Sequence, residues 1–477
     1  MNPIPASIRP PLDPGRLRRQ GDEPHAADPE GVVLSPDWRA WIEDREIPVY
    51  AIAITHGGPL SFASADWPDR RDGPVRIRLR PTWAAGPGRE PRILPAHRGT
   101  TAARMDGDLV FSLDSPGHRV VEAGEGSERP LFLSLDPVET DRPDPADPSV
   151  LWFGPGVHSV PWIDLADGMT LYLERGAVLR SHIPEGEAPV VLKDWAGQAC
   201  YRDFVVGRNL AGVSIRGRGL LDLSTLGWHA RSPIQFRNCR DIRIGDITIV
   251  GSPEWSLALF GCREAEIRNV KIFGHRENSD GIDLVDTIGV RVSDCLIRTG
   301  DDAICLKSMQ PPPLGGAGEV VVERCIVWND KVRCFGVCCE TRSDIRQVVF
   351  RDCDVLHSMA TWTTELGSLC LVVCDSATVS DIAFEDIRIE EEDQYVMVAM
   401  IVKDFWSKDP EPGHIRDIRF DRIQVPADAR GHFVGYDKDH QVENMTIRAF
   451  HADGTPLSAS DRARFHVGPF VSGLRFL

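Results

Sequence analysis

A short strand pattern repeated through the second half of the chain constrains the fold more than any other feature. Each copy has apolar residues near its positions 1, 3, 6 and 8 and a polar pair at positions 4 and 5. The copies are IRIGDITI (242–249), AEIRNVKI (265–272), VRVSDCLI (290–297), VVVERCIV (320–327), VVFRDCDV (348–355), IAFEDIRI (382–389) and IRFDRIQV (418–425). Their starts lie 23, 25, 30, 28, 34 and 36 residues apart, and no amphipathic helix fits between them. Such a period predicts an all-β chain that contains a parallel β-helix.

Cysteines recur at one position of this pattern. The sixth position of three successive repeats is Cys295, Cys325 and Cys353. Equivalent positions of successive coils stack about 4.8 Å apart, so these thiols should form a ladder inside the solenoid. All 12 cysteines lie between Cys200 and Cys374, without the paired spacing of a zinc site. We therefore expect buried reduced thiols, no metal ion and no cofactor.

The part of the chain before the repeats has a different character. Residues 30–137 contain short strand patterns separated by Gly, Pro and Asp, which predicts a small β-sandwich domain. Residues 138–149 are a linker rich in Pro and Asp. We expect residues 1–29 to be an N-terminal arm and residues 150–477 to be the catalytic β-helix domain.

Charge and hydrophobicity exclude several kinds of partner. The formal net charge of −17 argues against a nucleic-acid partner, because phosphate binding needs a clustered basic surface. No stretch reaches the roughly 18 apolar residues that span a membrane. The N-terminus lacks the apolar segment of a secretory signal, which predicts a cytoplasmic protein, or a secreted one if a leader was removed. The sequence leaves the oligomeric state open, and a homo-oligomer is possible.

The segment 277–308 contains four aspartates around one repeat. Asp280 and Asp283 precede the strand VRVSDCLI, and the pair Asp301-Asp302 follows it. Because 21 residues, close to one coil, separate Asp280 from Asp301, the carboxylates should meet on one surface. Clustered carboxylates repel and shift each other's pKa, which can supply both a proton donor and a base for glycosidic hydrolysis.

This segment resembles the polygalacturonase family, glycoside hydrolase family 28. The family's N-T-D-G motif corresponds to Asn278-Ser279-Asp280-Gly281, and its G-D-D motif corresponds to Gly300-Asp301-Asp302. The resemblance implies a right-handed parallel β-helix and inverting hydrolysis, with Asp301 as general acid and with Asp280 and Asp302 activating water. The carboxyl groups of an inverting pair are expected to stand about 6.5–9.5 Å apart.

Two further family motifs are missing, and this affects the expected substrate. No G-H-G lies near residues 331–333, and no R-I-K, which grips a substrate carboxylate, lies near residues 368–371. A sandwich before a β-helix also resembles the dextranases of glycoside hydrolase family 49. We therefore expect a neutral oligosaccharide or polysaccharide, with a pectin-type galacturonate substrate as the alternative. Because long polymers do not reach a cytoplasmic protein, we expect cleavage from one chain end.

Polar and aromatic residues around the aspartates are the candidates for substrate contacts. Trp side chains offer flat faces on which sugar rings stack, and a nearby cation can bind substrate or lower the pKa of a carboxylate. The candidates are Asn278, Asp283, His275, Arg276, Glu277, Lys307, Glu340, Trp255, Trp328 and Trp362.

Two other functions fit a β-helix. A polysaccharide lyase would need a uronic acid substrate and a Lys or Arg base, and the spacing of the aspartates favours a hydrolase over it. A non-catalytic carbohydrate-binding or adhesin-like β-helix has no need for three carboxylates within one coil step.

Overall fold

The computed structural model shows an almost entirely β structure. It describes residues 31–52, 60–68, 73–83, 90–123, 129–194, 197–274, 276–359, 366–391, 395–403, 406–452, 454–456 and 464–477. Within these ranges the 3-10 turn Ala96–Arg98 is the one helical element, and no helix is long and apolar enough to cross a membrane. The arm expected at residues 1–29 lies outside the described residues.

The strands nearest the N-terminus form two sheets with a shared core. In chain order they are β1 (Val33–Leu34), β2 (Trp38–Ile42), β3 (Arg45–Ile47), β4 (Tyr50–Ile52), β5 (Leu60–Asp66), β6 (Val75–Pro81), β7 (Arg92–Leu94), β8 (Ala103–Met105), β9 (Asp108–Leu113), β10 (Gly117–Glu122) and β11 (Leu131–Asp136). One sheet has the order β1-β4-β5-β11-β10-β7 and the other β3-β2-β6-β9-β8. Alternating apolar side chains of both sheets, such as Leu79 and Leu133, pack into one core, as in a β-sandwich.

The following strands form the coils of the β-helix. They are β12 (Val150–Phe153), β13 (Gly156–Val160), β14 (Ile163–Asp164), β15 (Thr170–Leu173), β16 (Ala177–Ser181), β17 (Val205–Arg208), β18 (Ala211–Gly217), β19 (Leu220–Asp222), β20 (Ile234–Arg237), β21 (Arg240–Gly245), β22 (Thr248–Val250), β23 (Leu257–Phe260), β24 (Arg263–Arg268), β25 (Lys271–Phe273), β26 (Ile282–Val285), β27 (Ile288–Ser293), β28 (Leu296–Thr299), β29 (Ile304–Ser308) and β30 (Ala317–Glu323).

The series continues to the end of the chain with β31 (Ile326–Asn329), β32 (Phe335–Thr341), β33 (Ile345–Ser358), β34 (Gly367–Val373), β35 (Thr378–Ile389), β36 (Tyr395–Ile401), β37 (His414–Asp421), β38 (Gln424–Val425), β39 (Gly431–Val434), β40 (Val442–Arg448), β41 (His451–Ala452), β42 (Thr455–Pro456), β43 (Phe465–Val467), β44 (Val471–Ser472) and β45 (Arg475–Phe476).

These strands stack coil upon coil in two sheets, which are parallel except for the antiparallel pair β41–β42. The sheet that carries the chemistry, here called the site sheet, has the order β14-β17-β20-β23-β26-β29-β32-β34-β36-β39-β43, and the remaining coil strands form a 23-stranded sheet. The prediction of a sandwich followed by a right-handed parallel β-helix is confirmed.

Like side chains form ladders inside the coils, as the repeat predicts. Cys295, Cys325 and Cys353 are fully buried, and the Cys325 N–H lies 3.4 Å from the Cys353 sulfur. Farther along, the rings of Phe350 and Phe384 stack at 5.0 Å between centroids. The cysteine ladder is therefore confirmed, and the closed core makes the coil register rigid.

The sandwich packs on the outer face of the larger coil sheet. The rings of Phe62 and Phe132 lie 5.0 and 5.3 Å from that of Phe273. Beside them the buried Asp136 carboxylate binds the Lys271 ammonium at 3.2 Å. Desolvated ion pairs and aromatic contacts thus join the two domains along the middle coils.

The prediction that Trp328 contacts substrate is wrong. Its side chain is 1% exposed and lies under the sandwich, with its ring 5.7 Å from Phe132 and 3.9 Å from His357. Its indole N–H donates to Asp330 at 2.9 Å. Strand alternation points Trp328 toward the sandwich, and the sequence could not show that this face is covered.

Candidate active site

Coil register brings the aspartates together. In the site sheet Ile282 of β26 pairs with Ile304 of β29, so the residues two positions earlier, Asp280 and Asp302, are lateral neighbours. The Gly281 N–H donates to the Asp302 carbonyl at 2.8 Å and fixes this register. Carboxylate oxygens of Asp280, Asp301 and Asp302 lie within 4.8 Å of one another. The prediction that these carboxylates meet on one surface is confirmed.

The oxygens of the cluster are close enough to share a water. The nearest oxygens lie within 4.8 Å of one another, and a single water can accept such neighbours as two hydrogen-bond partners. The separation of about 6.5–9.5 Å expected for an inverting pair refers to whole carboxyl groups, which lie farther apart than their nearest oxygens.

Asp301 is partly buried and held by two backbone donors. The Asn278 N–H donates to Oδ2 at 3.2 Å, and the Asp302 N–H donates to Oδ1 at 2.9 Å. Burial and the neighbouring Asp302 charge raise the pKa of Asp301 to about 6. A carboxyl group with this pKa keeps its proton in weakly acidic solution and can give it to a leaving oxygen.

Arg333 holds Asp302 in place from the next coil. Ile304 pairs with Phe335 of β32, so Asp302 and Arg333 occupy equivalent positions. The Arg333 Nη1 lies 2.9 and 3.0 Å from the two carboxylate oxygens of Asp302. This buried guanidinium stabilises the negative charge of Asp302 and orients its oxygens.

Lys307 lies at the centre of the carboxylate cluster. Its ammonium is 2.8 Å from both Asp280 Oδ2 and Asp283 Oδ1, and 4.0 Å from Asp302 Oδ2. The ring of Trp255 covers it, with its centroid 3.8 Å from the nitrogen. Burial disfavours the charged ammonium, but the surrounding carboxylates prevail and raise the pKa of Lys307 well above its usual value.

The two carboxylates that bind Lys307 are buried but differ in position. Burial raises the pKa of Asp280 well above its usual value against the opposing effect of Lys307, and its Oδ1 has no hydrogen-bond partner among the described residues. Asp283 is 0% exposed and also accepts the Cys305 thiol at 3.1 Å. Asp280 and Asp283 thus each bind Lys307 through one oxygen, and the other oxygen of each has no partner among the described residues.

Of the remaining predicted substrate residues, Glu340 lies at the site, whereas Arg276 and Glu277 bind other parts of the protein. Glu340 lies near Lys307, and burial raises its pKa. The Arg276 guanidinium donates to the backbone carbonyls of Leu226 and Ser224, so it supports the preceding turn instead of contacting sugar. Exposed Glu277 pairs with Lys331. His275 and Trp362 lie outside the described residues.

Carboxylate and thiol groups of the site also lie close enough together to offer ligand atoms to a metal ion. Asp302, Cys305 and Cys338 offer three ligand atoms within 4.8 Å of one another. Burial raises the pKa of Cys338 to about 11 and that of Cys305 well above its usual value. The Lys307 ammonium already pairs with Asp280 and Asp283 beside these thiols, and its charge disfavours a second cation there.

Sequence reasoning missed two residues of this region. Arg333 lies in the segment where the G-H-G motif is absent, and only the register of β29 with β32 shows that it faces Asp302. His229 belongs to an earlier coil, and its Nε2 lies 3.0 Å from Asn278 Oδ1. No motif marks either residue, although counting one coil length onward from Asp302 would have pointed to Arg333.

Comparison with known families decides the assignment. The model of "Glycosyl hydrolases family 28" matches residues 192–432, half of the chain, including every residue of the carboxylate cluster. The chain belongs to glycosyl hydrolases family 28. Inverting hydrolysis of O-glycosidic bonds is general for this family.

Similar curated proteins cover only part of the chain. It is 28% identical over 165 residues to a probable polygalacturonase of Vitis vinifera, covering 30% of this chain and 34% of that protein. It is 30% identical over 138 residues to a polygalacturonase of Persea americana, covering 26% and 30%. The chain thus spans about a third of the length of these relatives.

Two solved structures share the fold. An exopolygalacturonase from Thermotoga maritima matches with a TM-score of 0.51 and 17% identity, covering 69% of this chain and 83% of that one. Dex49A from Penicillium minioluteum matches with a TM-score of 0.61 and 12% identity, covering 96% and 97%. The second match extends over the sandwich as well as the β-helix. At these identities both matches show the fold alone.

Proposed function

We propose that this family 28 hydrolase cleaves a glycosidic bond with Asp301 as general acid and with Asp280 and Asp302 as the residues that hold and deprotonate water. The observation that carries this proposal is the cluster of three carboxylates in three different environments. Asp301 has the raised pKa of a proton donor, Asp302 is paired with Arg333, and Asp280 is paired with Lys307. Carboxyl groups in different environments have different pKa values, so one can act as the acid while the others act as bases.

The reaction is a single displacement. Asp301 gives its proton to the leaving oxygen while the bond from that oxygen to the anomeric carbon breaks. A water between Asp280 and Asp302 attacks the same carbon from the opposite face and loses a proton to one of these carboxylates. The product sugar then has the inverted configuration.

Ion pairing around the site supports a neutral sugar at the cleavage point. Lys307, Lys331 and Arg333 are each paired with a carboxylate of the protein. In β34, at the place where R-I-K was expected, Cys370 is buried in an apolar cluster with Val372. A substrate carboxylate would lack a counter-ion here and would face several aspartates, which costs free energy.

A galacturonate substrate is the second candidate. The names of the relatives from Vitis vinifera and Persea americana favour it, because both are polygalacturonases. It requires a cation that leaves its present partner when substrate binds. Lys331, whose partner Glu277 is exposed, is the cation best placed to do so.

Cleavage from one chain end is supported by the connection between β16 and β17. This stretch, residues 182–204, reaches the site through Asp194, whose carboxylate binds His229. His229 in turn contacts Asn278, which adjoins Asp301. We propose that this loop limits the cleft on the N-terminal side, where a long polymer would otherwise continue.

The test is hydrolysis of a panel of oligosaccharides followed by proton NMR before mutarotation. The panel contains neutral glucans of several linkages and oligogalacturonates of matched length. We expect a neutral substrate to give an inverted first product, one sugar at a time. The exclusive hydrolysis of oligogalacturonates would refute the neutral-sugar proposal, and an unsaturated product that absorbs ultraviolet light would refute hydrolysis.

Matched aspartate variants complete the test. Asp301→Asn should abolish turnover but still bind the oligosaccharide that the wild-type protein hydrolyses. Asp241→Asn is the control, because Asp241 is half exposed on the larger coil sheet and has the left-handed backbone that Asn tolerates. Full activity of Asp301→Asn would contradict the acid role.

A further inference from the structure

His229 and Asp194 lie outside the matched motifs, yet they connect to the general acid. His229 is 1% exposed and has a left-handed backbone, with φ of 60°. Its Nδ1 binds the Asp194 carboxylate, and its Nε2 lies 3.0 Å from Asn278 Oδ1. Both ring nitrogens thus have a hydrogen-bond partner, and the ring links the loop of Asp194 to the turn of Asn278.

The contact has a direct consequence for Asn278. Asn278 also has a left-handed backbone, with φ of 60°, which directs its N–H at Asp301 Oδ2, 3.2 Å away. Its side chain is fixed by His229, and the neighbouring Trp228 donates from its indole to the Glu277 carbonyl at 2.8 Å. His229 and Trp228, which belong to an earlier coil, therefore fix the turn that carries the Asn278 N–H.

We infer that Asp194 and His229 are positioning residues, which hold the Asn278 N–H against the general acid and so set the acidity of Asp301. This inference rests on the proposed acid role of Asp301. An N–H donated to a carboxylate favours its charged form, so this contact counteracts the effect of burial. Without it, Asp301 would hold its proton to higher pH.

Two substitutions of His229 separate the contacts. The amide of Asn reaches about as far as Nδ1, and the amide of Gln about as far as Nε2. His229→Asn therefore keeps the contact with Asp194 and the left-handed backbone but loses Asn278. His229→Gln keeps the contact with Asn278 and loses Asp194.

The readout is the pH profile of kcat/KM, whose alkaline limb reports the general acid. We expect His229→Asn to move this limb upward by up to about one pH unit, because a hydrogen bond to a charged group has about this effect. His229→Gln should bring the limb only part of the way back toward the wild-type position, because it keeps the contact with Asn278 but lacks the support of Asp194. The charged groups that face Asp301 are unchanged in both variants, namely Asp280, Asp302, Lys307 and Arg333.

The direction in which the alkaline limb moves distinguishes a positioning role of His229 from a general loosening of the Asn278 turn. A loosened turn admits water, relieves burial and moves the limb downward. A downward shift or an unmoved limb in His229→Asn overturns the inference, provided that Asp301→Asn is inactive in the same assay. If Asp301→Asn is active, the proposed function itself fails, and the inference fails with it.

Discussion

Asp302 and Arg333 occupy equivalent positions of neighbouring coils, and the guanidinium of one lies 2.9 Å from the carboxylate of the other. Asp280 occupies the same position one coil earlier. The ladder thus runs carboxylate, carboxylate, cation along the site sheet. The Arg333 guanidinium at the end of this run is the counter-ion of the Asp302 carboxylate, which lies beside two other carboxylates.

Loss of Arg333 should impair both stability and catalysis. In Arg333→Gln the buried Asp302 carboxylate loses its counter-ion, which typically costs about 3–5 kcal/mol. We expect kcat/KM to fall about a hundredfold in the folded fraction. The measurements are urea unfolding and steady-state kinetics. Arg243→Gln is the control, because Arg243 and its partner Asp241 are both exposed and such a pair contributes less than about 1 kcal/mol. Equal effects of both variants would contradict this account.

Lys307 should be needed to keep the carboxylates together. Lys307→Met removes the cation shared by Asp280 and Asp283, so the remaining charges repel and should take up protons. We expect a lower melting temperature at neutral pH that recovers partly in acid, together with loss of turnover. Calorimetry at several pH values measures this. The surface variant Lys438→Met should show neither effect, and a pH-independent loss in Lys307→Met would count against charge repulsion.

Asp301 should make the folded protein less stable as the pH rises. Its ordinary pKa of 3.8 applies to the unfolded chain, and the folded value is about 6. The folded state therefore binds the proton more tightly, so this contribution is present below pH 4 and is lost between about pH 4 and 6. In Asp301→Asn this decline should be absent. Denaturant unfolding of both proteins across this range measures the difference, and parallel stability curves would exclude the raised pKa.

The two tryptophans near the middle coils should respond oppositely to truncation. Trp328→Ala leaves a cavity between the domains and should cost about 3–5 kcal/mol while KM stays unchanged. Trp255→Ala uncovers Lys307 and should lower kcat/KM at a smaller cost in stability. Thermal unfolding and kinetics on the same samples compare the two. A raised KM in Trp328→Ala would show that Trp328 contacts substrate.

Much of this arrangement could be predicted because a β-helix converts sequence spacing into lateral distance. The interval from Asp280 to Asp301 is close to one coil, and the stacked cysteines at 295, 325 and 353 gave an independent measure of the same repeat. Both expectations needed only the period of the pattern and strand geometry.

Contacts between separate parts of the chain could not be predicted in this way. Trp328 was misassigned because its burial depends on Phe132, which lies almost two hundred residues earlier in the sandwich. His229 was missed because the loop that carries Asp194 has no repeat that predicts where it folds back. Register along the solenoid is local information, whereas domain packing and loop closure are set by tertiary contacts.

The most direct test of the acid role compares Asp301→Asn with wild type on two substrates. One is the hydrolysed oligosaccharide, and the other is the fluoride of the same sugar, whose leaving group needs no proton. We expect kcat/KM to fall about a thousandfold on the oligosaccharide and less than about tenfold on the fluoride. Equal losses on both substrates would contradict the assignment of Asp301 as the proton donor.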